Sequence, residues 1–331
     1  MALRKHLLVL MGGMSPEHDV SIKSGENVLK HLNQDRYHVH KCLITRSGEW
    51  QFDDESEYLD VSDGTVRLRK LHPDCVFIAL HGPFGEDGRI QGMLDMLGIP
   101  YTGSGCAASA IAIDKRRAKT LVKAAGVTVA DHIEFTHGQW DAGRKELSGR
   151  VREEIGFPCV VKSPRQGSSL GMGIPQTLEE FPAVVDHVFG FGYHAMVERF
   201  VSGVELTCAV LDVDEIERPR ALPVTEIRPV SAKFFDYHAK YTPKASEEIT
   251  PAKIPDAIRD RAQEIAVRAH ETVGCRGFSR SDMILSGDQL VWLEVNTVPG
   301  LTETSLFPQA ALADGIALPE LFDLLIDAAM A

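Results

Sequence analysis

The sequence predicts an α/β fold that passes into an α+β arrangement, and three observations carry the prediction. Strand-like apolar runs alternate with helical stretches over the first hundred residues, the pattern of a parallel sheet covered on both faces. From Ala195 onward short alternating runs follow one another directly, as antiparallel strands do. The length, 331 residues, exceeds what one simple core accommodates, so two or three domains are expected.

Taken in order, LLVLMG (7–12) reads as a buried strand ending in a Gly-Gly turn. Ser15-Pro16-Glu17 opens a helix that runs to about Leu32. HVHKCLIT (38–45) and VFIAL (76–80) are the next strands, and IQGMLDMLG (90–98) is a helix stopped by Gly98 and Pro100. GGMSPEHD and HGPFGEDG fall after strands, where open α/β sheets usually bind ligands. A turn to Gly, Ser and Ala at 101–106 marks a boundary. One helical stretch then runs to Ala125, GVTVADHIEF (126–135) is a strand, and a helix lies near 141–155. FPCVVKSP (157–164) holds a buried strand, and TLEEFPAVVDHVF (177–189) is a helix with Pro182 in its first turns. AMVERFV, ELTCAVLDV and PRALPVTEI are antiparallel strands, and residues 255–274 form a long amphipathic helix opened by Pro and closed by Gly. FSRSDMIL and LVWLEVNT form a hairpin across 286–288, and two short helices end the chain. The domains expected are 1–103, 104–198 and 199–331.

A net charge of −12 argues against a nucleic-acid partner. No apolar run approaches the length of a membrane span, and the first apolar run is too short for a signal peptide. The six cysteines lie far apart without a C-x-x-C pair, so they read as small buried residues in a reducing cytoplasm.

Residues 167–171, Gly-Ser-Ser-Leu-Gly, fit G-x-S-x-G, which serves either a nucleophilic serine or a loop whose amides wrap phosphate. The nucleophile needs a helix directly after the serine and a histidine near the end of the chain. Leu-Gly-Met-Gly-Ile-Pro follows instead, and the last histidine is His270, inside the long helix. The glycines suit a short mobile hairpin with Ser168 and Ser169 as donors.

The hairpin 279–300 carries the strongest chemistry. Glu294 and Asn296 are two apart on a strand and so share a face, as do Arg280 and Asp282 on its partner. Two carboxylates and an amide oxygen on one face make an oxygen site for a hard cation, magnesium bridging nucleotide phosphates. The plain alternative is a polar sheet face with an Arg–Asp pair. Lys162, ending a buried strand, and Lys115 stand ready to balance phosphate charge, although neither a Walker A motif nor G-x-G-x-x-G is present.

These segments together resemble the D-alanine–D-alanine ligases of the ATP-grasp superfamily. The matching motifs are GGMSPEHDVSIKSG (12–25), HGPFGEDG (81–88), DK (114–115), VVKSPRQGSSLGMG (160–173), FFDYHAKY (234–241), SRSD (279–282) and LEVNTVPGLTETSLFPQ (293–309). The resemblance implies an ATP-grasp fold: a Rossmann-like N-terminal domain, a central α+β domain and a C-terminal antiparallel-sheet domain. It implies ATP-dependent joining of two D-alanines through a D-alanyl phosphate for peptidoglycan synthesis, in a cytoplasmic homodimer away from membranes. Two magnesium or manganese ions would sit on Asp282, Glu294 and Asn296, with a potassium ion as a further candidate. Lys115, Lys162 and Ser169 would hold phosphates, Glu198 the adenine amino group and Glu205 the ribose, with Phe200, Val201 and Phe234 lining the adenine slot. Glu17 would accept the ammonium of the first D-alanine, with His81 beside it. Arg280 and the Gly300 amide would stabilise the oxyanion, and Lys240, Ser305 and the Leu306 amide belong to the substrate site. Glu17, Ser168 and Tyr241 would be linked by hydrogen bonds, and the loop from Ser231 to about Ile249 would close over the site.

Four positions depart from the family pattern. His18-Asp19, a pair shared with relatives that make D-alanyl-D-lactate, stands where many dipeptide formers have Arg-Glu. Gln166 and His238 stand where acidic residues are frequent. A D-lactate ligase and a catalytically silent nucleotide-binding regulator are the alternatives.

Overall fold

The computed structural model describes residues 4–331 apart from 54, 168–170, 215–217 and 230–245. Its first sheet has the order β3-β2-β1-β4. Strands β1 (Lys5–Gly12), β2 (Tyr37–Ile44) and β4 (Cys75–Ile78) are parallel, and β3 (Trp50–Phe52) joins the edge antiparallel. Leu7 to Leu10 and Cys75 to Ile78 are buried throughout, as continuous apolar runs in a covered parallel sheet should be. The chain leaves β1 through Gly12, at φ 87°, where a side chain would strike the Ile44 carbonyl. Helix α1 begins at His18 rather than Ser15 and runs to His31; Ser15-Pro16-Glu17 is the turn that delivers it. Strand β3 and helix α2 (Val61–Leu71) were not anticipated; the former is only three residues long and the latter is largely polar. Helix α3 (Arg89–Leu97) stops at Gly98, in the left-handed region.

The helical stretch expected to reach Ala125 is two helices, α4 (Cys106–Ile113) and α5 (Lys115–Ala124). They are broken at Asp114, whose backbone is extended and whose carboxylate pairs with Arg116. Of the strand expected over 126–135, only β5 (His132–Thr136) forms. Val127 and Val129 instead pack with Trp292 and Val295 of the C-terminal hairpin.

The second sheet has the order β5-β8-β6-β7 and is antiparallel. It contains β6 (Cys159–Lys162), the two-residue β7 (Met172–Gly173) and β8 (His194–Arg199). Helices α6 (His137–Glu154) and α7 (Phe181–Phe189) close a core around Trp140 and Phe181, and Pro182 lies in the first turn of α7. Strand β8 is thus antiparallel as expected, but it belongs to this central sheet.

The third sheet has the order β12-β11-β9-β13-β14, with β10 pairing on β9. Its strands are β9 (Val204–Asp212), β10 (Arg220–Ala221), β11 (Thr225–Pro229), β12 (Ser246–Ile249), β13 (Gly277–Ser286) and β14 (Gln289–Asn296). The single strand expected at 219–227 is therefore split into β10 and β11. Residues 246–249, expected within a closing loop, form an edge strand. Helix α8 (Asp256–Val273) packs on this sheet, while α9 (Leu306–Ala313) and α10 (Leu318–Met330) return to the core of the first. All six cysteines are free thiols, five of them buried and Cys106 partly so.

Candidate active site

The C-terminal hairpin sets the geometry. Its register places Asp282 opposite Glu294 and Arg280 opposite Asn296, with a register shift immediately after Asp282. Arg280 donates to both carboxylate oxygens of Asp282, from Nε at 2.8 Å and Nη2 at 2.9 Å. Asn296 Nδ2 adds 3.2 Å to the same carboxylate, and Thr207 Oγ1 donates to it at 2.7 Å. Burial alone would lower the Arg280 pKa, but the charge of Asp282 outweighs it and the guanidinium is held above its ordinary range.

Two lysine clusters face this hairpin. Lys115, the first residue of α5, lies 2.9 Å from Glu294 and donates to the Gln166 carbonyl at 2.9 Å. Burial opposes its charge, yet Glu294 raises its pKa overall. One turn further along the same helix face, the fully buried Lys119 lies 2.8 Å from Glu198, which also pairs with Lys162. Burial would raise the Glu198 pKa, but the two ammonium groups depress it to about 2. Lys115, Lys119, Lys162 and Arg280 are thus each held by a carboxylate.

These clusters border a cavity of about 410 Å³ between the central and C-terminal sheets. Lys115, Lys162, Glu198, Phe200, Val201, Glu205, Asp282 and Glu294, each singled out from sequence, line it. Glu226, Met172 and Ile174 line it too and were missed, as was Lys119 behind Glu198. Lys119 was detectable: it lies four residues after Lys115 and next to Ala118 on the buried face of α5. Glu226 gave no such signal, because alternation alone does not say which face of an antiparallel strand opens on a cavity. One of its oxygens is buried with no hydrogen-bond partner among the described residues.

A second group gathers where the first sheet meets residues 297–305. His81 Nδ1 lies 3.0 Å from the Val298 carbonyl, so it carries the ring proton. The Leu301 amide donates to Ser24 Oγ at 3.2 Å, which leaves the serine hydroxyl to donate to His81 Nε2 at 2.8 Å. Burial holds this imidazole below its ordinary range. Glu17 is buried at the start of α1, and a side chain at Gly167 would come within 2.5 Å of its Oε2. Glu86, also missed, accepts from the Gly82 amide at 3.0 Å; burial and then the charge of Glu17 push it up to about 8. Gly300 abuts Ser305, where a Cβ would lie 2.7 Å from Oγ. Ser305 caps α9, and its Oγ accepts from the Thr302 amide at 3.1 Å. Leu306 is the first residue of that helix, so its amide has no carbonyl one turn back to bond.

The described residues among those predicted from sequence therefore fall into two groups joined by the hairpin, one at the cavity and one at the seam. Ser168, Ser169, Phe234, Lys240 and Tyr241 lie outside the described residues.

Two family models match the chain in succession. A family model described as the D-ala D-ala ligase N-terminus matches residues 6–104, and one described as the C-terminus matches residues 121–327. The D-alanine–D-alanine ligase of Desulforudis audaxviator is 42% identical over 319 residues, covering 96% of each chain. That of Syntrophobacter fumaroxidans is 42% identical over 325 residues, covering 97% of this chain and 96% of its own. Among solved structures, the VanG D-Ala:D-Ser ligase of Enterococcus faecalis superposes with a TM-score of 0.87 at 33% identity, covering 99% of this chain and 100% of that one. The D-alanine–D-alanine ligase of Bacillus anthracis complexed with ATP gives 0.78 at 29%, covering 98% and 97%.

Proposed function

Because the chain belongs to the D-alanine–D-alanine ligase family, we propose that it joins two D-alanines at the expense of ATP for peptidoglycan synthesis, with the three segments 1–103, 104–198 and 199–331 as its working parts. The observation that carries this is the direct pairing of Asp282 with Glu294, beside Lys115 and Arg280, at the mouth of a nucleotide-sized cavity.

The oxygen donors Asp282, Glu294 and Asn296 suit magnesium, a hard cation that keeps several ligands from water and phosphate. When bound, magnesium neutralises phosphate charge during phosphoryl transfer. Arg280 and Lys115 now occupy those carboxylates. On nucleotide binding each would exchange a carboxylate partner for a phosphate or acyl oxygen, so no charge is left unpaired. Lys162 and Lys119 are likewise prepositioned by Glu198, one on each carboxylate oxygen, and the adenine amino group would donate to an oxygen that a lysine already faces. Phe200 and Val201 cover the base, and Glu205 takes the ribose.

At the seam, Glu17 receives the ammonium of the first D-alanine. Both His81 nitrogens are engaged, so the ring fixes the seam's shape rather than moving protons. Once the carboxylate has been phosphorylated, the amine of the second D-alanine attacks the acyl carbon. The Arg280 guanidinium and the Gly300 amide stabilise the resulting oxyanion, and collapse releases phosphate. Ser305 and the Leu306 amide, at a helix start, hold the second carboxylate. The roles of Ser168, Ser169, Phe234, Lys240 and Tyr241 follow the family pattern: phosphate and substrate contacts under a closing loop. Dimerisation and a potassium requirement belong to the same reading.

The test is phosphate release from magnesium-ATP with D-alanine, D-lactate or D-serine as second substrate. D-alanine should support turnover with a dipeptide product, and chelating magnesium should abolish it. Faster turnover with D-lactate or D-serine would move the specificity, and no D-alanine-dependent release would reject the reading.

A further inference from the structure

Three histidines meet at the opposite end of the first sheet from the active site. The site follows the carboxyl ends of β1 and β4, whereas His6 lies near the start of β1, roughly 20 Å of extended strand from Gly12. The β1–β2 register sets His6 directly beside His38, and His40 is two residues on. All three therefore share one sheet face. One ring nitrogen of each lies within 4.8 Å of the other two, and the rings of His38 and His40 are 4.7 Å apart between centroids.

His40 is prepared in a way chance proximity does not explain. Its Nδ1 lies 2.8 Å from Asp53 Oδ2. A carboxylate only accepts, so Nδ1 carries the proton and Nε2 of the neutral ring presents a lone pair. That Nε2 is buried and meets no hydrogen-bond partner among the described residues. The other oxygen of Asp53 accepts from the Lys41 amide at 2.9 Å, which fixes the carboxylate in place. A carboxylate holding one imidazole nitrogen while the other stays bare is the outer support a metal-bound histidine uses.

We propose that His6, His38 and His40 form a site for a borderline transition-metal cation, zinc foremost, with Asp53 orienting His40. Zinc–nitrogen bonds of about 2.0–2.1 Å require the three nitrogens to draw together by roughly 1 Å. The exposed side chains of His6 and His38 are free to make that movement. The fourth position is left to water. Imidazole donors suit zinc and are poor ligands for magnesium, whereas the oxygen set at the hairpin suits magnesium, so the two sites differ in the ion they favour.

The full chain, stripped with chelator and free of nucleotide, is titrated with zinc in competition with a chromophoric chelator and separately with cobalt(II). One zinc per chain and the visible absorption of four-coordinate cobalt are expected. His6→Gln, His38→Gln and His40→Gln should each remove both, and Asp53→Asn should weaken zinc about 10-fold. His38→Gln should leave magnesium-ATP-dependent ligation unchanged, which separates this site from the reaction. Matching thermal midpoints without metal establish folding, and a variant that fails this is replaced by either of the other two. Zinc uptake that survives all three substitutions, or no uptake by the parent chain, overturns the proposal. Neither result depends on whether D-alanine is the substrate.

Discussion

Arg280 is held by both oxygens of Asp282, so its position is set before any ligand arrives. A lysine there keeps the charge but loses the two-pronged geometry. Arg280→Lys should lower D-alanine-dependent ADP formation by about 100-fold or more, the usual cost of losing an oxyanion donor; turnover within a few-fold of the parent would remove Arg280 from that role. Glu86 gives a pH prediction. It titrates at about 8 in the folded chain, from burial and the charge of Glu17, against about 4.3 when unfolded. Between those values the folded chain keeps a proton that the unfolded chain has released. Stability should therefore decline as pH rises through this window and level off above it. Glu86→Gln should flatten the decline, which urea midpoints at several pH values would reveal.

At the scale of elements, the hairpin works because each strand carries its polar residues two apart, so the face is settled by the pleat. The register from the short turn at Gly287, at φ 58°, would continue to Asp282 against Leu293; the shift immediately after Asp282 sets it against Glu294 and so brings the two carboxylates to one face. The sequence allowed the spacing and the turn to be read, but not the shift. It did not allow the start of α5 to be placed against Glu294, because that contact spans the chain from 115 to 294. Helix α6 offers a local test. Thr136 and Gln139 form a reciprocal capping box, Oγ1 accepting at 3.2 Å and Oε1 accepting at 2.8 Å. Thr136→Ala should cost about 1 kcal/mol, measured by denaturant unfolding.

At the scale of the molecule, the first sheet and the C-terminal part share one core, since Phe307, Phe322 and Leu325 pack with the strands of residues 7–10 and 75–78. Polar contacts fix the seam. Asn27 Nδ2 donates to the Leu301 carbonyl at 2.7 Å and is buried, whereas Lys30 pairs with Glu303 in the open. Asn27→Ala should cost about 1–3 kcal/mol by leaving a buried acceptor unsatisfied. Lys30→Ala should stay within about 1 kcal/mol, because an exposed pair is screened by water. Comparing the two thermal shifts checks both values, and raised D-alanine KM in Asn27→Ala alone would tie the seam to substrate binding.

The sequence by itself determined the helix ends at Gly98 and Gly274 and the same-face pairs Arg280 with Asp282 and Glu294 with Asn296, because these depend on periodicities of two and 3.6 residues within one segment; the shift that joins the two pairs came only with the fold. Only the tertiary structure decided that α4 and α5 pack against the C-terminal hairpin, that Lys119 reinforces Glu198, and that three histidines from two strands face one another. Those outcomes depend on which distant surfaces bury each other, and a local pattern carries no information about its partner.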